Sequence, residues 1–183
     1  MSFTHKKKYI IASLVALSLV AGIFWYSSNS RNQLIVDYDY QRDSAAIAQI
    51  FDTDWDWLIP FAKDDYSLDL VLKYKAPQQN PLYAGRLNIK VARIDDRLIG
   101  FVMYYLKKPG EWFFNFLDVI PAYRGKGYAS KLARYAIDDM IAKGAQRITL
   151  VTYPHNESAL KLYKKLGFVE ISRGRQVELQ LKV

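Results

Sequence analysis

The sequence of 183 residues contains no cysteine and lacks two familiar glycine-rich phosphate-binding patterns. Without a thiol, any group transfer that the chain performs has to proceed without a cysteine-bound intermediate. Neither Gly-x-x-x-x-Gly-Lys-Ser/Thr nor Gly-x-Gly-x-x-Gly occurs, so the signatures of P-loop and dinucleotide-binding proteins are absent. The sequence shows no internal repeat, and its length suits one domain with one core.

Basic side chains are in excess, but they are unevenly distributed. The formal net charge is +8, and the first 33 residues hold four Lys and Arg residues with no acid. The remaining residues therefore have 22 basic against 18 acidic side chains, a net charge of +4. A surplus of this size is too small to predict a nucleic-acid partner.

The most informative segment joins an apolar run to an amphipathic helix through a basic turn. The run from Phe113 to Ile120 has the length and aromatic content of a strand, and Pro121 ends it. After the turn, apolar residues at helical spacing predict a helix of about four turns, with Gly144 at its C-cap. These residues are Leu132, Ala133, Ala136, Ile137, Met140 and Ile141.

The turn at 124–127 has the composition of an anion-binding site. The free N–H groups and the positive dipole end of the following helix favour an anion at this point. Gly125 and Gly127 allow a ligand to approach the backbone closely, and Arg124 and Lys126 add positive charge. The alternative is a tight turn with solvated basic side chains.

A second segment, nearer to the C-terminus, predicts a strand followed by a short helix. The residues from Arg147 to Thr152 are typical of a buried strand, Asn156 suits the N-cap of the helix, and Gly167 suits its end. Tyr163 lies on the apolar face of this helix, from which its hydroxyl could reach the turn end of the sheet. The alternative is a tyrosine that belongs only to the packed core.

Together the two segments resemble the GNAT N-acetyltransferase superfamily. Members share the turn Gln/Arg-x-x-Gly-x-Gly/Ala, which Arg124, Gly127 and Ala129 match here. Many also carry Asn-x-x-Ala-x-x-Leu-Tyr-x-Lys-x-Gly-Phe, matched at every fixed position by Asn156, Ala159, Leu162, Tyr163, Lys165, Gly167 and Phe168. The resemblance is strong over 99–183 and loose over 34–94. It implies an α/β (α+β) fold with a mixed, mostly antiparallel sheet of about seven strands and helices on both faces.

The resemblance also implies acetyl-CoA, or a related acyl-CoA, as the co-substrate, and no metal. The pyrophosphate would bind at the turn formed by Arg124, Gly125, Lys126, Gly127, Tyr128 and Ala129. The backbone of Leu117 and Val119 would pair with the pantetheine arm, where two parallel strands separate. By the same resemblance, Asn156 would hydrogen-bond to this arm and Tyr163 would protonate the departing thiolate.

The general base is the least determined part of this expected site. Asp118 is the leading candidate because it lies at the C-terminal end of the strand and points to the face opposite Leu117 and Val119. Glu111, at the start of the same strand, and His155, after the next strand, are alternatives. An ordered water is a further alternative, because many members of the family use one.

The residues before this region predict the rest of the sheet and an acceptor side. Further elements are expected as strands at 34–40, 87–94, 98–106 and 177–181, a hairpin turn at 95–97, and a helix around 45–51. The segment 54–66 combines aromatic and acidic side chains, which suit an amine-bearing acceptor through charge and cation–π contacts. The alternative for this segment is an amphipathic helix that buries Trp55 and Trp57. The loop at 75–86 is expected to border the acceptor site.

These observations predict an acyl-CoA-dependent N-acetyltransferase that moves an acetyl group directly from acetyl-CoA to an amine. The acceptor would be a small molecule, a peptide or a protein. Such a reaction needs positioning, an oxyanion donor and a route for the proton, and it needs no cysteine. The alternative is a non-catalytic acyl-CoA-binding or interaction module on the same fold.

The first 33 residues predict a membrane anchor and a polar linker that precede the domain at 34–183. Three lysines precede an uncharged run of 18 residues from Tyr9 to Tyr26, which has Trp25 next to its far edge. The run is at the lower limit for a membrane span and exceeds the usual signal-peptide core of roughly 7–15 residues. We therefore predict an uncleaved single-pass anchor. A signal peptide cleaved near 28–30, with secretion of the domain, is the alternative.

The charges around this run predict a cytoplasmic N-terminus. Three lysines lie before the run and Arg31 lies just after it, and basic residues favour the cytoplasmic side. The catalytic domain would then lie outside the cytoplasm, where acetyl-CoA is scarce. Three alternatives resolve this conflict: a compartment supplied with acyl-CoA, export into the cytosol of another cell, or the reversed topology.

Overall fold

Seven strands form one mixed sheet within residues 34–58, 67–77 and 86–183, the part of the chain that this computed structural model describes. They are β1 (Ile35–Asp37), β2 (Asn88–Ile94), β3 (Arg97–Lys108), β4 (Glu111–Val119), β5 (Arg147–Thr152), β6 (Val169–Arg173) and β7 (Val177–Lys182). Their order across the sheet is β1-β2-β3-β4-β5-β7-β6. β4 and β5 are parallel and the other neighbours are antiparallel, which confirms the predicted sheet.

Helices cover both faces of this sheet. They are α1 (Tyr40–Thr53), α2 (Trp55–Leu58), α3 (Leu68–Tyr74), α4 (Tyr128–Ala142) and α5 (Glu157–Lys165), with a 3₁₀ turn at Pro121–Tyr123. Phe51 of α1 stacks on Phe101 of β3, with ring centroids 5.6 Å apart. Tyr104 of β3 instead donates its hydroxyl to Asp139 of α4 at 2.6 Å. Because residues 101 and 104 of a strand point to opposite faces, the expected helices on both faces are confirmed.

The beginning of the domain differs from the prediction in its boundaries. β1 covers only Ile35–Asp37, and α1 begins at Tyr40 rather than near residue 45. The carboxylate of Asp39 accepts the N–H of Arg42 at 2.9 Å, and the carboxylate of Asp43 accepts the N–H of Asp39 at 2.9 Å. These bonds satisfy free donors of the first helical turn, so the helix starts where alternation alone predicted a continuing strand.

The two helices beside the predicted site follow the sequence pattern closely. The buried residues of α4 are Leu132, Ala133, Ala136, Ile137 and Met140, all from the predicted apolar face. Gly144 follows α4 with a φ of +85°, and Gly167 follows α5 with a φ of +93°. Asn156 is the N-cap of α5, where its side-chain oxygen accepts the N–H of Ala159 at 3.1 Å. Local spacing and glycine placement therefore predicted both helices correctly.

Three predictions lie wholly or partly outside the described residues. They concern the membrane anchor at 9–26, the part of the 54–66 segment beyond residue 58, and the loop around 78–85. Among the residues that the structure does describe, no helix is both long enough and apolar enough to cross a membrane.

β4 separates from β5 partway along its length, and this separation opens the sheet. The two strands pair only through residues 111–113 of β4 and 147–149 of β5. On its other edge β4 remains paired with β3 as far as Val119. A bulge in that pairing leaves Asn115 opposite no residue of β3, which bends β4 at the point where the two parallel strands part.

Candidate functional site

A cleft of about 600 Å³ occupies the opening between β4 and β5. One wall carries aromatic side chains that include Trp57 of α2, Tyr105 of β3 and Phe113 of β4. The opposite wall carries Asn156 and Tyr163 from the start and the middle of α5. A cleft of this volume with a few polar groups on apolar walls is typical of a small-molecule site.

The edge of β4 that faces the cleft presents the backbone of Leu117. Ile120 donates its N–H to the carbonyl of Ile99 on β3 at 2.9 Å. Because backbone groups alternate along a strand, those of Leu117 and Val119 point away from β3 and toward the opening. Leu117 also lines the cleft. It is therefore well placed for the predicted pairing with an extended ligand.

Val119 is less available for that pairing than the sequence predicted. Its N–H donates to the Asp118 carboxylate at 2.6 Å, and its carbonyl accepts from Nε of Arg124 at 2.7 Å. Both backbone groups of Val119 thus have partners within the protein. A ligand that paired with Val119 would have to displace one of these charge-assisted bonds.

The turn before α4 has the open backbone that a phosphate group requires. Gly125 and Gly127 have φ values of +74° and +84°, and a Cβ at either position would meet no atom within 4 Å. Gly127 is the N-cap of α4 and has no side chain to cap it, so the first amides, at Tyr128 and Ala129, receive no side-chain acceptor. Unsatisfied amides at the positive end of a 15-residue helix favour a pyrophosphate, and the residues present fit this group.

The two cations of the turn differ in what they contact. Lys126 is exposed, and its ammonium group lies 3.1 Å from the carbonyl of Ala122 and 5.3 Å from the ring centroid of Tyr123. Arg124 instead pairs with Asp54 at 2.7 Å and with Asp118 at 3.2 Å. The guanidinium of Arg124 already holds two carboxylates, and its role as a phosphate-binding cation stays a prediction. Its main visible contribution is to hold the turn in place.

Asp118 lies on the α1 face of the sheet, beneath the turn. It pairs with Phe101, whose ring contacts Phe51 of α1, so it points away from Leu117 and Val119 as predicted. Burial raises the pKa of Asp118 to about 6, and the negative charge of Asp54 adds to this effect. Arg124 and the N–H of Val119 offset part of the rise. Asp118 does not line the cleft within the described part of the chain, so its role as base stays a prediction.

The two side-chain alternatives to Asp118 as base occupy different places. Glu111 forms ion pairs with Lys108 at 3.2 Å and with Arg147 at 3.3 Å, at the end of β4 where β4 and β5 are still paired. This position is remote from the opening and does not favour a catalytic role for Glu111. His155 is exposed at the rim of the cleft, between the rings of Tyr153 and Trp57 at centroid distances of 5.6 and 5.5 Å.

Tyr163 is both a core residue and a cleft residue. It is 7% exposed and packs edge-on against Phe114 and Phe168, each with ring centroids 5.7 Å away. Burial raises the pKa of Tyr163 above its ordinary value, and the charge of Asp118 adds to this, so the hydroxyl stays protonated at neutral pH. Among the described residues no protein group hydrogen-bonds to this hydroxyl. A buried, protonated hydroxyl without a partner on a cleft wall is suited to donate its proton to a ligand.

Asn156 has one polar atom committed to the fold and one left for a ligand. Its side-chain oxygen caps α5 through the N–H of Ala159. Its amide nitrogen is a second donor on this wall of the cleft, beside the hydroxyl of Tyr163.

Asp54 belongs to the site, but its sequence context did not identify it as a site residue. It is 5% exposed and reaches Arg124 across 70 positions of sequence. The sequence placed Asp54 only in an aromatic and acidic segment, and no spacing rule relates it to the turn. Elsewhere in the described residues, no group of three or more metal-ligating side chains is close enough to hold a metal ion.

Comparisons with known proteins agree with this geometry. A sequence model of the acetyltransferase (GNAT) family matches residues 45–168. N-alpha-acetyltransferase 30 of Schizosaccharomyces pombe is 36% identical over 87 residues, which are 45% of this chain and 58% of that protein. The [ribosomal protein bS18]-alanine N-acetyltransferase of Haemophilus ducreyi is 34% identical over 89 residues, which are 49% of this chain and 60% of that protein. The chain thus spans less than two thirds of either relative.

A solved structure with the same fold supports the assignment of the sheet and helices. The crystal structure of the NatC complex bound to Gag peptide and CoA contains a chain that is 24% identical to this one, with a TM-score of 0.61. The alignment covers 82% of this chain and 99% of that chain. This similarity extends over nearly the whole described domain and concerns the fold.

Proposed function

Because the chain belongs to the acetyltransferase (GNAT) family, we propose that it transfers an acetyl group from acetyl-CoA to the α-amine of a peptide or protein. The observation that carries this proposal is the cleft between β4 and β5. The hydroxyl of Tyr163, which has no hydrogen-bond partner among the described residues, lies on one wall, and the uncapped first amides of α4 lie near the end of the cleft. Two relatives support an α-amine of a peptide or protein as the acceptor, because one is named an N-alpha-acetyltransferase and the other a [ribosomal protein bS18]-alanine N-acetyltransferase. The NatC structure likewise contains a peptide together with CoA.

Each residue of the site has a distinct task in this reaction. Acetyl-CoA supplies the thioester carbonyl that the amine attacks. The amides of the first turn of α4 hold the pyrophosphate, and the backbone of Leu117 together with the amide of Asn156 orients the extended arm. Tyr163 holds a proton on its hydroxyl and gives it to the sulfur that departs. The proton that the amine loses passes to Asp118 or to a water, and Asp118 has a pKa near 6 that suits such a base.

The aromatic wall provides the acceptor side of the cleft. Trp57 is 48% exposed although it is large and apolar, and it stands beside the rim residue His155. An exposed tryptophan at a cleft is a common anchor for a peptide side chain. Tyr105 and Phe113 continue this wall, with ring centroids 5.6 Å apart. We infer that the first side chains of the acceptor peptide lie against these rings.

The first test measures acetyl-CoA binding by the full-length chain, kept in mild detergent because of the apolar run at 9–26. Titration calorimetry should show saturable binding to the wild type and at least about 10-fold weaker binding to Gly127→Asp. Gly144→Asp is the matched control, because it adds the same charge at a residue with nearly the same φ, at the other end of α4. Absence of binding to the folded wild type would overturn the proposal.

A second test separates catalysis from binding alone. Tyr163→Phe should bind acetyl-CoA like the wild type and transfer acetyl groups about 100-fold more slowly, because the proton donor is lost. Mass spectrometry of peptides with a free N-terminus, and of the same peptides blocked at the N-terminus with an internal lysine, identifies the amine. Transfer only to lysine would refute the α-amine acceptor. Binding without turnover of any amine by the wild type would leave a non-catalytic acyl-CoA-binding module.

A further inference from the structure

Asp54 occupies the junction between α1 and the acceptor-side helix α2. Its N–H donates to the carbonyl of Ile50 at 2.9 Å and closes α1. Its carbonyl accepts the N–H groups of Trp57 at 3.0 Å and Leu58 at 3.1 Å, and so starts α2. The backbone of this one residue therefore fixes the direction in which Trp57 enters the cleft wall.

The side chain of Asp54 reaches the other half of the site. Its carboxylate is 2.7 Å from the guanidinium of Arg124, and its side chain is 7% exposed. Arg124 in turn donates through Nε to the carbonyl of Val119 and stands directly before Gly125. The contacts of Arg124 thus connect the end of α1, the end of β4 and the anion-binding turn.

We propose that Asp54 is a positioning residue that couples the pyrophosphate-binding turn, through Arg124, to the acceptor wall that carries Trp57. The inference rests on the proposed function of the cleft and adds a specific link between its two ends. A shift of the turn would move Arg124. Because Arg124 is paired with Asp54, this movement would also displace Asp54, whose carbonyl accepts the first N–H groups of α2. The two substrates would then influence each other's binding by a shared ion-pair cluster.

The energetics of the cluster keep Arg124 in one place. Two nearly buried carboxylates, Asp54 and Asp118, share one guanidinium, with side-chain exposures of 7% and 11%. Moving Arg124 away would leave both carboxylates buried without their cationic partner, which is strongly unfavourable. The cluster therefore has one favoured arrangement, and that arrangement fixes the position of the turn relative to β4.

The loss of Asp54 need not unfold the protein. Asp54→Asn keeps the size of the side chain and leaves Arg124 paired with Asp118, so one guanidinium then faces one carboxylate and no buried charge lacks a partner. What the substitution removes is the ion pair between the turn and the α1–α2 junction, because the amide oxygen can still accept from Arg124 but carries no negative charge. This property makes the substitution a test of coupling rather than of folding.

The experiment is a double-mutant cycle on the full-length chain, with Asp54→Asn, Arg124→Gln and the double variant. Calorimetry measures acetyl-CoA affinity, and steady-state assays measure the KM of an acceptor peptide. We expect Asp54→Asn to weaken acetyl-CoA binding and to raise the peptide KM, each by roughly 5- to 10-fold, near the lower end of typical site coupling. The double variant should be no weaker than Arg124→Gln alone, because Asp54 acts through Arg124.

Controls separate this inference from the proposed function and from simple misfolding. Asp52→Asn, an exposed acid on the same helix, should change neither constant. If Asp54→Asn does not fold, Arg124→Lys takes its place, since lysine keeps the charge but lacks the forked donors. Wild-type affinity and KM in Asp54→Asn, or effects that add in the double variant, would overturn the inference while the acetyltransferase function stands. A wild type that does not bind acetyl-CoA would overturn both.

Discussion

Asp118→Asn should change how the stability of the protein depends on pH. Burial raises the pKa of Asp118 from 3.8 to about 6 in the folded state, and the nearby charge of Asp54 contributes to the rise. The folded protein therefore binds this proton more tightly than the unfolded chain does. The stabilisation is fully present below the unfolded pKa and is lost as pH rises through about 6.

The size of the change in stability follows from the pKa shift of Asp118. A rise of about 2 pKa units corresponds to about 3 kcal/mol of folding free energy. About 2 kcal/mol of this falls between roughly pH 4 and pH 7, where the unfolded carboxyl is mostly ionised and the folded one is titrating. The side chain is only 11% exposed, so screening by solvent reduces the figure little. Asparagine cannot titrate, and its amide oxygen can still accept the N–H of Val119.

The assay is urea unfolding of the full-length wild type and variant at intervals from about pH 4 to pH 7. The free energy of unfolding of Asp118→Asn, minus that of the wild type, should increase by about 2 kcal/mol over this range. Taking the difference cancels the titration of all groups that the two proteins share. Asp52→Asn, at an exposed position on α1, is the control for the loss of one carboxylate outside the cluster.

A flat difference for Asp118→Asn would refute the reasoning. It would mean that Arg124 holds the Asp118 carboxylate ionised across the whole range, so that the ion pair outweighs burial. The argument that Asp118 has a pKa suited to a general base would then fail as well, and a bound water would become the preferred base.

Three further substitutions test the packing and the acceptor wall. Gly100→Ala should lower the free energy of unfolding by about 1–3 kcal/mol, because the new Cβ would lie 2.6 Å from the carbonyl oxygen of Asp118. An unchanged midpoint of urea unfolding would contradict this close approach. Leu132→Ala should cost about 2–5 kcal/mol, since the side chain is fully buried in α4, and calorimetric melting checks it. Trp57→Ala should cost less stability than Leu132→Ala, because about half of the Trp57 side chain is exposed, yet it should raise the KM of a peptide acceptor. An unaltered KM would remove Trp57 from the acceptor wall.

The parts of the site that local sequence determines were predicted well. Apolar spacing and two glycines were enough to place α4 and α5, because helix periodicity and left-handed residues after a helix are short-range properties. The open turn before α4 followed from Gly125 and Gly127 in the same way. The position of Tyr163 on the cleft wall came from family resemblance, since periodicity alone equally allowed a core residue.

The parts that depend on long-range contacts were missed or misjudged. The pairing of Arg124 with Asp54 was missed, because Asp54 is 70 residues away and no local pattern reveals it. Asp139 lies outside the predicted apolar face of α4, yet its carboxylate accepts the hydroxyl of the buried Tyr104. Both contacts involve charged side chains, whose partners are determined by how distant elements pack and not by their own segment.

The chain topology explains why the open amides and the cleft occur at the same edge of the sheet. β4 and β5 are parallel, so the chain must cross from the end of β4 back to the start of β5, and α4 makes this crossing. The N-terminus of α4 therefore lies next to the carboxyl end of β4, where the two strands have already separated. This arrangement suits a ligand with a phosphate at one end and an extended arm. What the individual side chains add is the bend at Asn115, the open backbone of the turn, and the ion-pair cluster that holds the turn against β4.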